Sequence, residues 1–360
     1  MREAKNTLFY FDDPGVANFA GPEFIMSPVS QKVFPATFCG PQHVCRYLWN
    51  TKGLDCIRVT EQTDFSSLLS RFSRLVLGTG ENVAGVLPKI FESALKLGLE
   101  MVALVDAPTS LRERFGCFGR DVIPNLSSVL YSDFSCTDHL LSFGFSEEQL
   151  QLVRNPQLDY VENFVQRRRQ IRGLSGSPIR KLPHKKILFV SEISDGLDPS
   201  DFKKNPAYTL TGHCEQTTLR TLVVLEEVIL ALKRIEQRYS LVVRLHPKDK
   251  AENYSSVESE VDYFSVKEHP LEAISDADFV LGMTSSLLSE AAVLQKPVLS
   301  VVPRSIEANW LGQFVKPPVD CVWTRENLRA SLQKLLENKM RPTQRLDKNF
   351  PSVYSVLQGI

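Results

Sequence analysis

Short β-branched or aromatic runs alternate with helix-period segments along nearly the whole chain, and that alternation leaves few folds open. "TLFYFDD", "KVFPATF", "RLVLGTG", "MVALVDA" and "SSVLYSD" read as strands in the first half. Between them lie segments such as "NVAGVLPKIFESALKLG", where Val86, Leu87, Ile90, Leu95 and Leu97 recur at helical spacing before a glycine stop. Strands separated by crossover helices pair in parallel, so the chain is α/β.

The pattern breaks once. From Arg167 to Lys186 the sequence "RRRQIRGLSGSPIRKLPHKK" carries eight Lys or Arg, no acid and no periodicity. This reads as a solvated basic linker rather than a docking site for anionic headgroups. The expected division is therefore residues 1–168, a linker over 169–185, and residues 186–360. The second half restarts the alternation with "KKILFVSE", a long helix from about Thr217 to Arg238, "YSLVVRLHPKD", "VDYFSV", "DFVLGM", "SSLLSEAAVLQ", "KPVLSVVP" and a last helix "RENLRASLQKLLENK". Two Rossmann-like doubly wound parallel-sheet domains facing a cleft are expected, with ligand at the carboxyl edges of the strands.

Composition excludes several classes. A length of 360 residues, with 43% apolar and 23% charged positions, suits two ordinary globular domains. Lys+Arg and Asp+Glu are both 42, so no global field draws the molecule to nucleic acid. The start, "MREAKNTLFYFDDPG", is too short in apolar residues for a signal-peptide core, and no stretch approaches the ~20 apolar residues of a membrane span. Seven scattered cysteines without a C-x-x-C pair indicate neither a disulfide framework nor a zinc site. A cytoplasmic protein is expected, with peripheral contact at the inner membrane left open.

Two stretches of the second half suit an anion. In "ADFVLGMTSSLLSEAAVLQKPVLSV" a strand runs into Thr284, Ser285 and Ser286 at a helix start, where hydroxyls and free N–H groups can hold an oxyanion. Glu290 lies one turn on, able to reach a ribose; an ordinary N-cap with an exposed glutamate is the other reading. In "LVVRLHPKD" a strand of the same sheet delivers Arg244, His246 and Lys248 to the same edge, and Pro247 stops it. A buried, backbone-bonded histidine is the plainer account of His246. His213 and Glu215, before the long helix, read either as donor contacts or as a capping segment.

These blocks resemble the nucleotide-sugar-binding domain of GT-B glycosyltransferases and of relatives such as UDP-GlcNAc 2-epimerase and CDP-glycerol glycerophosphotransferase. The resemblance rests on "RLHP" and on the strand–helix–strand block from Ala277 to Val301. It implies that His246, Ser285, Ser286 and Glu290 contact the donor's phosphates and ribose; Arg244, Lys248 and Thr284 join the donor-binding candidates from their positions at the strand end and helix start. "FYFDDPGVANFAGPE" resembles the first strand–loop–helix of bacterial GT-B proteins, whose glycine-containing loop faces the acceptor. Asp12, Gly15 and Asn18 are the acceptor-side candidates, with Asp13 and Asp106 as candidate catalytic carboxylates, although Asp pairs at strand ends also serve simply as turn formers. "RNPQLD" (154–159) resembles the closing segment of such domains, with Arg154 where a glycine is expected.

The implied reaction is a metal-independent transfer of a sugar from a UDP-, CMP- or CDP-linked donor to a surface polysaccharide or glycolipid, the acceptor being a glycan or lipid-linked. No cofactor is implied, because the nucleotide sugar is a substrate. "DAD" (Asp276 to Asp278) mimics a metal-binding motif but lies within the GT-B-like block at a strand start. A UDP-sugar epimerase in the same cleft and a noncatalytic nucleotide-sugar binder are the alternatives. The segment "VDAPTSLRERFG" lacks the "EAGxR"-like pattern that an epimerase would carry.

Overall fold

The structure, a computed structural model, describes residues 6–20, 36–80, 86–106, 111–116, 122–170, 177–193, 204–214, 217–247, 249–311, 321–339 and 350–358. It divides into two compact units, Met1–Tyr160 with Asp347–Ile360, and Val161–Leu346. The first contains strands β1 (Thr7–Tyr10), β2 (Ala36–Gly40), β3 (Ile57–Arg58), β4 (Arg74–Gly78), β5 (Glu100–Val105), β6 (Ser128–Tyr131) and β7 (Leu150–Leu152). Its helices are α1 (Pro14–Ala17), α2 (Gln42–Lys52), α3 (Phe65–Leu69), α4 (Val86–Lys96), α5 (Leu111–Gly116), α6 (Val122–Asn125) and α7 (Cys136–Phe143). Helix α8 (Pro156–Gln170) carries the chain across the division. The second unit holds β8 (Lys185–Val190), β9 (Tyr239–Arg244), β10 (Tyr263–Ser265), β11 (Phe279–Gly282), β12 (Val298–Val301) and β13 (Cys321–Val322). With them are α9 (Arg220–Lys233), α10 (Pro270–Asp276), α11 (Ser286–Val293) and α12 (Arg325–Leu336); α13 (Val353–Gln358) returns to the first unit.

Both sheets are parallel throughout. Their orders are β3-β2-β1-β4-β5-β6-β7 and β10-β9-β8-β11-β12-β13, so each unit starts on a central strand and winds outward in both directions. Strand order reverses between β1 and β4 in one sheet and between β8 and β11 in the other. In doubly wound sheets that switch point is where a ligand fits, because the flanking crossovers leave on opposite faces and open a crevice at the carboxyl ends.

The central strands are buried on both faces, which explains their unbroken apolar runs. Leu8, Tyr10, Leu75, Leu77, Met101 and Ala103 fill one side of the first sheet, while Phe9, Phe11, Val76, Val102 and Leu104 fill the other. Helix α4 buries Leu87, Ile90, Phe91 and Ala94, whereas Leu95 and Leu97 are each 43% exposed. The apolar stripe thus runs through Phe91 and Ala94 instead of the two leucines read from spacing. Cys45 and Cys56, distant from any C-x-x-C pattern, meet as free thiols with Sγ atoms 2.7 Å apart.

The two units divide within α8, between Tyr160 and Val161. Residues 171–176 of the basic stretch lie outside the described residues, and from Ser177 on its contacts are with the second unit. The Ser177 N–H donates to Asp276 at 3.1 Å and Ile179 is fully buried. The C-terminal segment also departs from the simple division. Val353 and Leu357 of α13 pack with Phe9, Phe11 and Leu48, Arg74 donates to the Leu357 carbonyl, and the Arg154 N–H donates to Pro351 O at 2.9 Å. Among the described residues, no helix is long and apolar enough to cross a membrane.

Candidate functional site at the two switch points

In the second unit, β11 ends at Gly282 and the chain turns through 283–285 into α11, with the Ser285 hydroxyl capping the helix on the Leu287 N–H at 3.3 Å. Three consecutive N–H groups, of Met283, Thr284 and Ser285, converge on a single oxygen at 3.1, 2.6 and 2.7 Å. That oxygen is Oε1 of Glu192, which follows the neighbouring strand β8. Its other oxygen accepts from the Thr284 hydroxyl at 2.8 Å and lies 3.6 Å from Arg220. Successive N–H groups at a helix start form a concave anion holder, strengthened by the helix dipole. Here the chain's own carboxylate occupies it.

Glu192 was not among the sequence candidates. The available signal was an acid immediately beyond a central strand, in "ILFVSE". Ser191 points to the other neighbour: its hydroxyl accepts the His246 N–H at 2.8 Å and donates to Asp249 at 2.9 Å. The end of β8 therefore ties the end of β9 to the turn after β11.

The expected cationic edge is only partly there. His246 is half-buried at the β9 end, and Lys248 lies outside the described residues. Arg244 is 7% exposed and turns toward β10, donating to Ser265 Oγ at 3.0 Å and lying 3.6 Å from Glu268. Burial depresses its pKa, with Glu268 opposing the shift. It is committed to that outer side, away from the β8–β11 switch point. Thr284 and Ser285 form the turn, Ser286 is exposed at the first position of α11, and Glu290, one turn on, is buried rather than exposed.

Behind Glu192, Arg220 also pairs with Glu307 through Nε at 3.0 Å and through Nη2, and Arg304 holds the other Glu307 oxygen at 2.7 Å. Nearby, Glu226 accepts from the His213 and Cys214 N–H groups and from Thr217, while Glu227 accepts from Gly212, the His213 ring and Arg325. His213 is thus part of a loop stapled to α9; Glu215 lies outside the described residues.

The first unit's switch point carries acids. Asp12 follows β1 and is 7% exposed, and neither carboxylate oxygen has a hydrogen-bond partner among the described residues. It lies against Gly80, just beyond β4, where a Cβ would collide with both oxygens. Only glycine permits that approach. Burial raises the Asp12 pKa to about 7; the adjacent Asp13 and Asp106 push the same way, while the electrostatic pull of its own backbone N–H and of Arg114 opposes them.

Asp13 is exposed and caps α1, accepting the Gly15 N–H at 2.5 Å. Asp106, beyond β5, pairs with Arg114 at 2.5 Å, and the same guanidinium donates to the Thr79 carbonyl. A Cβ on Gly15 would stand 2.8 Å from Asp13 and 3.3 Å from Asp106, so these candidates meet. Asn18 does not join them: its side chain accepts from Tyr47 OH at 2.5 Å and its carbonyl from Lys52. Helix α2 also touches the loop through the His43 ring, 3.1 Å from the Asp12 carbonyl. Asp276 and Asp278 sit at the amino ends, bonded to the Ser177 and Lys186 N–H groups.

No protein-family model matches the chain, and no curated protein matches it in sequence. Solved structures match its fold. A UDP-GlcNAc 2-epimerase from Neisseria meningitidis bound to UDP-GlcNAc aligns over 98% of this chain and 96% of its own, with a TM-score of 0.60 and 12% identity. HepE from Anabaena, in complex with UDP and glucose, aligns over 93% and 90% at a TM-score of 0.57 and 9% identity. A glycosyltransferase from Rickettsia africae aligns over 93% and 88% at 0.56 and 8%. Such identities speak to fold alone. Two all-parallel doubly wound sheets with flanking helices, shared with these structures over nearly the full chain, give this protein the GT-B fold.

Proposed function

We propose that the protein is a nucleotide-sugar enzyme, and within that class a glycosyltransferase that moves a sugar from a nucleotide-activated donor to a glycan or lipid-linked hydroxyl. The observation that carries the reading is the turn at 283–285, whose three N–H groups and one hydroxyl already hold a carboxylate at the second sheet's switch point. A donor phosphate has the same need for convergent donors, and Ser286 and His246 lie at the same sheet edge to add to them. The fold neighbours solved with UDP, glucose or UDP-GlcNAc support a nucleotide sugar as the ligand.

Residues of the first unit supply the proton chemistry. Asp12 is better suited than Asp13 or Asp106 to be the base, since Asp13 caps a helix and Asp106 is paired with Arg114. With a pKa of about 7 it takes a proton from the acceptor hydroxyl at neutral pH while remaining partly ionised. The acceptor oxygen then bonds to the sugar's anomeric carbon and the bond from that carbon to the phosphate oxygen breaks. The electron pair leaves on the phosphate, whose new charge the Met283–Ser285 N–H groups stabilise.

The three carboxylates gathered by Gly15 and Gly80 favour one second reading, an epimerase, whose chemistry needs acid and base groups around one ring. Incubation with UDP-, CMP- and CDP-sugars separates the two. Release of free nucleotide only when a glycan or lipid-linked acceptor is present supports transfer. Isomerised sugar without acceptor supports epimerisation, and neither product from any donor defeats both.

A further inference from the structure

The way Glu192 is held distinguishes its backbone from its carboxylate. The backbone is pinned: its N–H donates to the Thr221 hydroxyl at 3.2 Å and its carbonyl accepts from the same hydroxyl. The carboxylate instead reaches from the end of β8 to the turn after β11, and the side chain is 14% exposed. Withdrawing it therefore takes side-chain rotation alone and moves no strand.

Charge in this pocket is already balanced. Arg220 and Arg304 face Glu192 and Glu307, two cations against two anions. Glu307 is fully buried and fixed by both guanidinium groups, so Glu192 is the acid with freedom to leave. A phosphate entering beside an unmoved Glu192 would find its N–H donors occupied and a like charge in contact. A phosphate replacing Glu192 would inherit the three N–H groups, the Thr284 hydroxyl and the Arg220 charge.

We propose that Glu192 is a displaceable internal occupant of the donor's anion site. Its carboxylate holds the turn at 283–285 in the free protein and yields to the donor phosphate, so the free protein binds nucleotide more weakly than the turn by itself would. This rests on the nucleotide-sugar reading above. The physical consequence is a reduced apparent affinity, because only the fraction of molecules with the carboxylate withdrawn can accept ligand. It also keeps the N–H groups satisfied while the site is empty.

The test is calorimetric titration of CMP, UDP and inorganic pyrophosphate, at fixed salt, into four proteins: unmodified, Glu192→Gln, Glu192→Asp and Glu260→Gln. Glu260 pairs with Lys233 at the surface and controls for loss of one negative charge. Glu192→Gln should tighten binding of at least one nucleotide by about tenfold or more, as expected for relief of a mostly occupied site. Glu192→Asp, which keeps the charge but retracts it by one methylene, should tighten it less, and Glu260→Gln should leave it unchanged. A thermal melt verifies folding of each, and the Asp variant carries the test if the Gln variant does not fold. Measurable binding that is equal or weaker in both Glu192 variants overturns the proposal and makes Glu192 a fixed brace of the turn. Absence of binding to all four proteins is a separate result, which removes the nucleotide-sugar reading and this proposal with it.

Discussion

Asp12 makes the sharpest prediction at the scale of single residues. Its folded-state pKa of about 7 lies above the about 3.9 of an unfolded aspartate, so between those values the folded protein binds the extra proton. Stability should therefore fall as pH rises from about 4 to about 7 and then level off. Asp12→Asn removes that slope, and urea unfolding at pH 8 should find the variant more stable by on the order of 2–4 kcal/mol, with little difference at pH 4. The same substitution should abolish turnover and spare nucleotide binding. Gly80→Ala pushes a methyl into the Asp12 carboxylate and should destabilise the first unit by about 1–3 kcal/mol in thermal or urea melts. "FDDPG" announced two acids beyond a strand; which of them is buried depends on Gly80, 68 positions further on, and that lies beyond any local pattern. Glu192 was hidden for the same reason, since its partners stand 91–93 positions away.

Among secondary-structure elements, the long apolar strands were legible because burial on both faces requires continuous runs, as in "TLFY" and "SLVVR". Strands β3, β7 and β13 are two or three residues long and carry no such run. Helix α9 buries Leu222, Leu225, Ile229 and Leu232 at helical spacing, but its middle also buries Glu226 and Glu227. These acids join α9 to residues 211–214 and to Thr217, and to α12 through Arg325 at 2.8 and 2.9 Å. The Arg325 guanidinium and the surrounding N–H groups hold the Glu227 carboxyl below the usual carboxylate range against the opposing effect of burial. Glu227→Ala leaves these donors unmatched and should destabilise the second unit by about 2–4 kcal/mol in urea, with the first unit's hydrogen-exchange protection unaffected. Arg244 shows the limit of reading an edge from strand ends. Its backbone stands where "LVVRLHP" puts it, but Glu268, on the loop after β10, draws the side chain outward.

Across the whole molecule, the return of α13 to the first unit has a consequence that composition and periodicity do not reveal. Val353 and Leu357 complete a core whose other members come from the first half of the chain. Removing residues 347–360 should lower the stability of the first unit by about 3–5 kcal/mol, the burial of two aliphatic side chains, and leave the second nearly unchanged. Limited proteolysis that cuts first within residues 6–160 would bear this out; first cleavage in the second unit would refute it. Formal charge sums to zero, so recognition is local, and each sheet presents a different chemistry at its switch point: acids in the first, with the Asp12 carboxyl unpaired among the described residues, and convergent N–H donors in the second. Nucleotide binding at these N–H donors is tested most directly by titrating CMP and UDP into isotope-labelled protein while following the backbone amides. Saturable shifts centred on Met283, Thr284 and Ser285 are the predicted result. Saturable shifts that leave these three amides in place, or no shifts with either nucleotide, would contradict it.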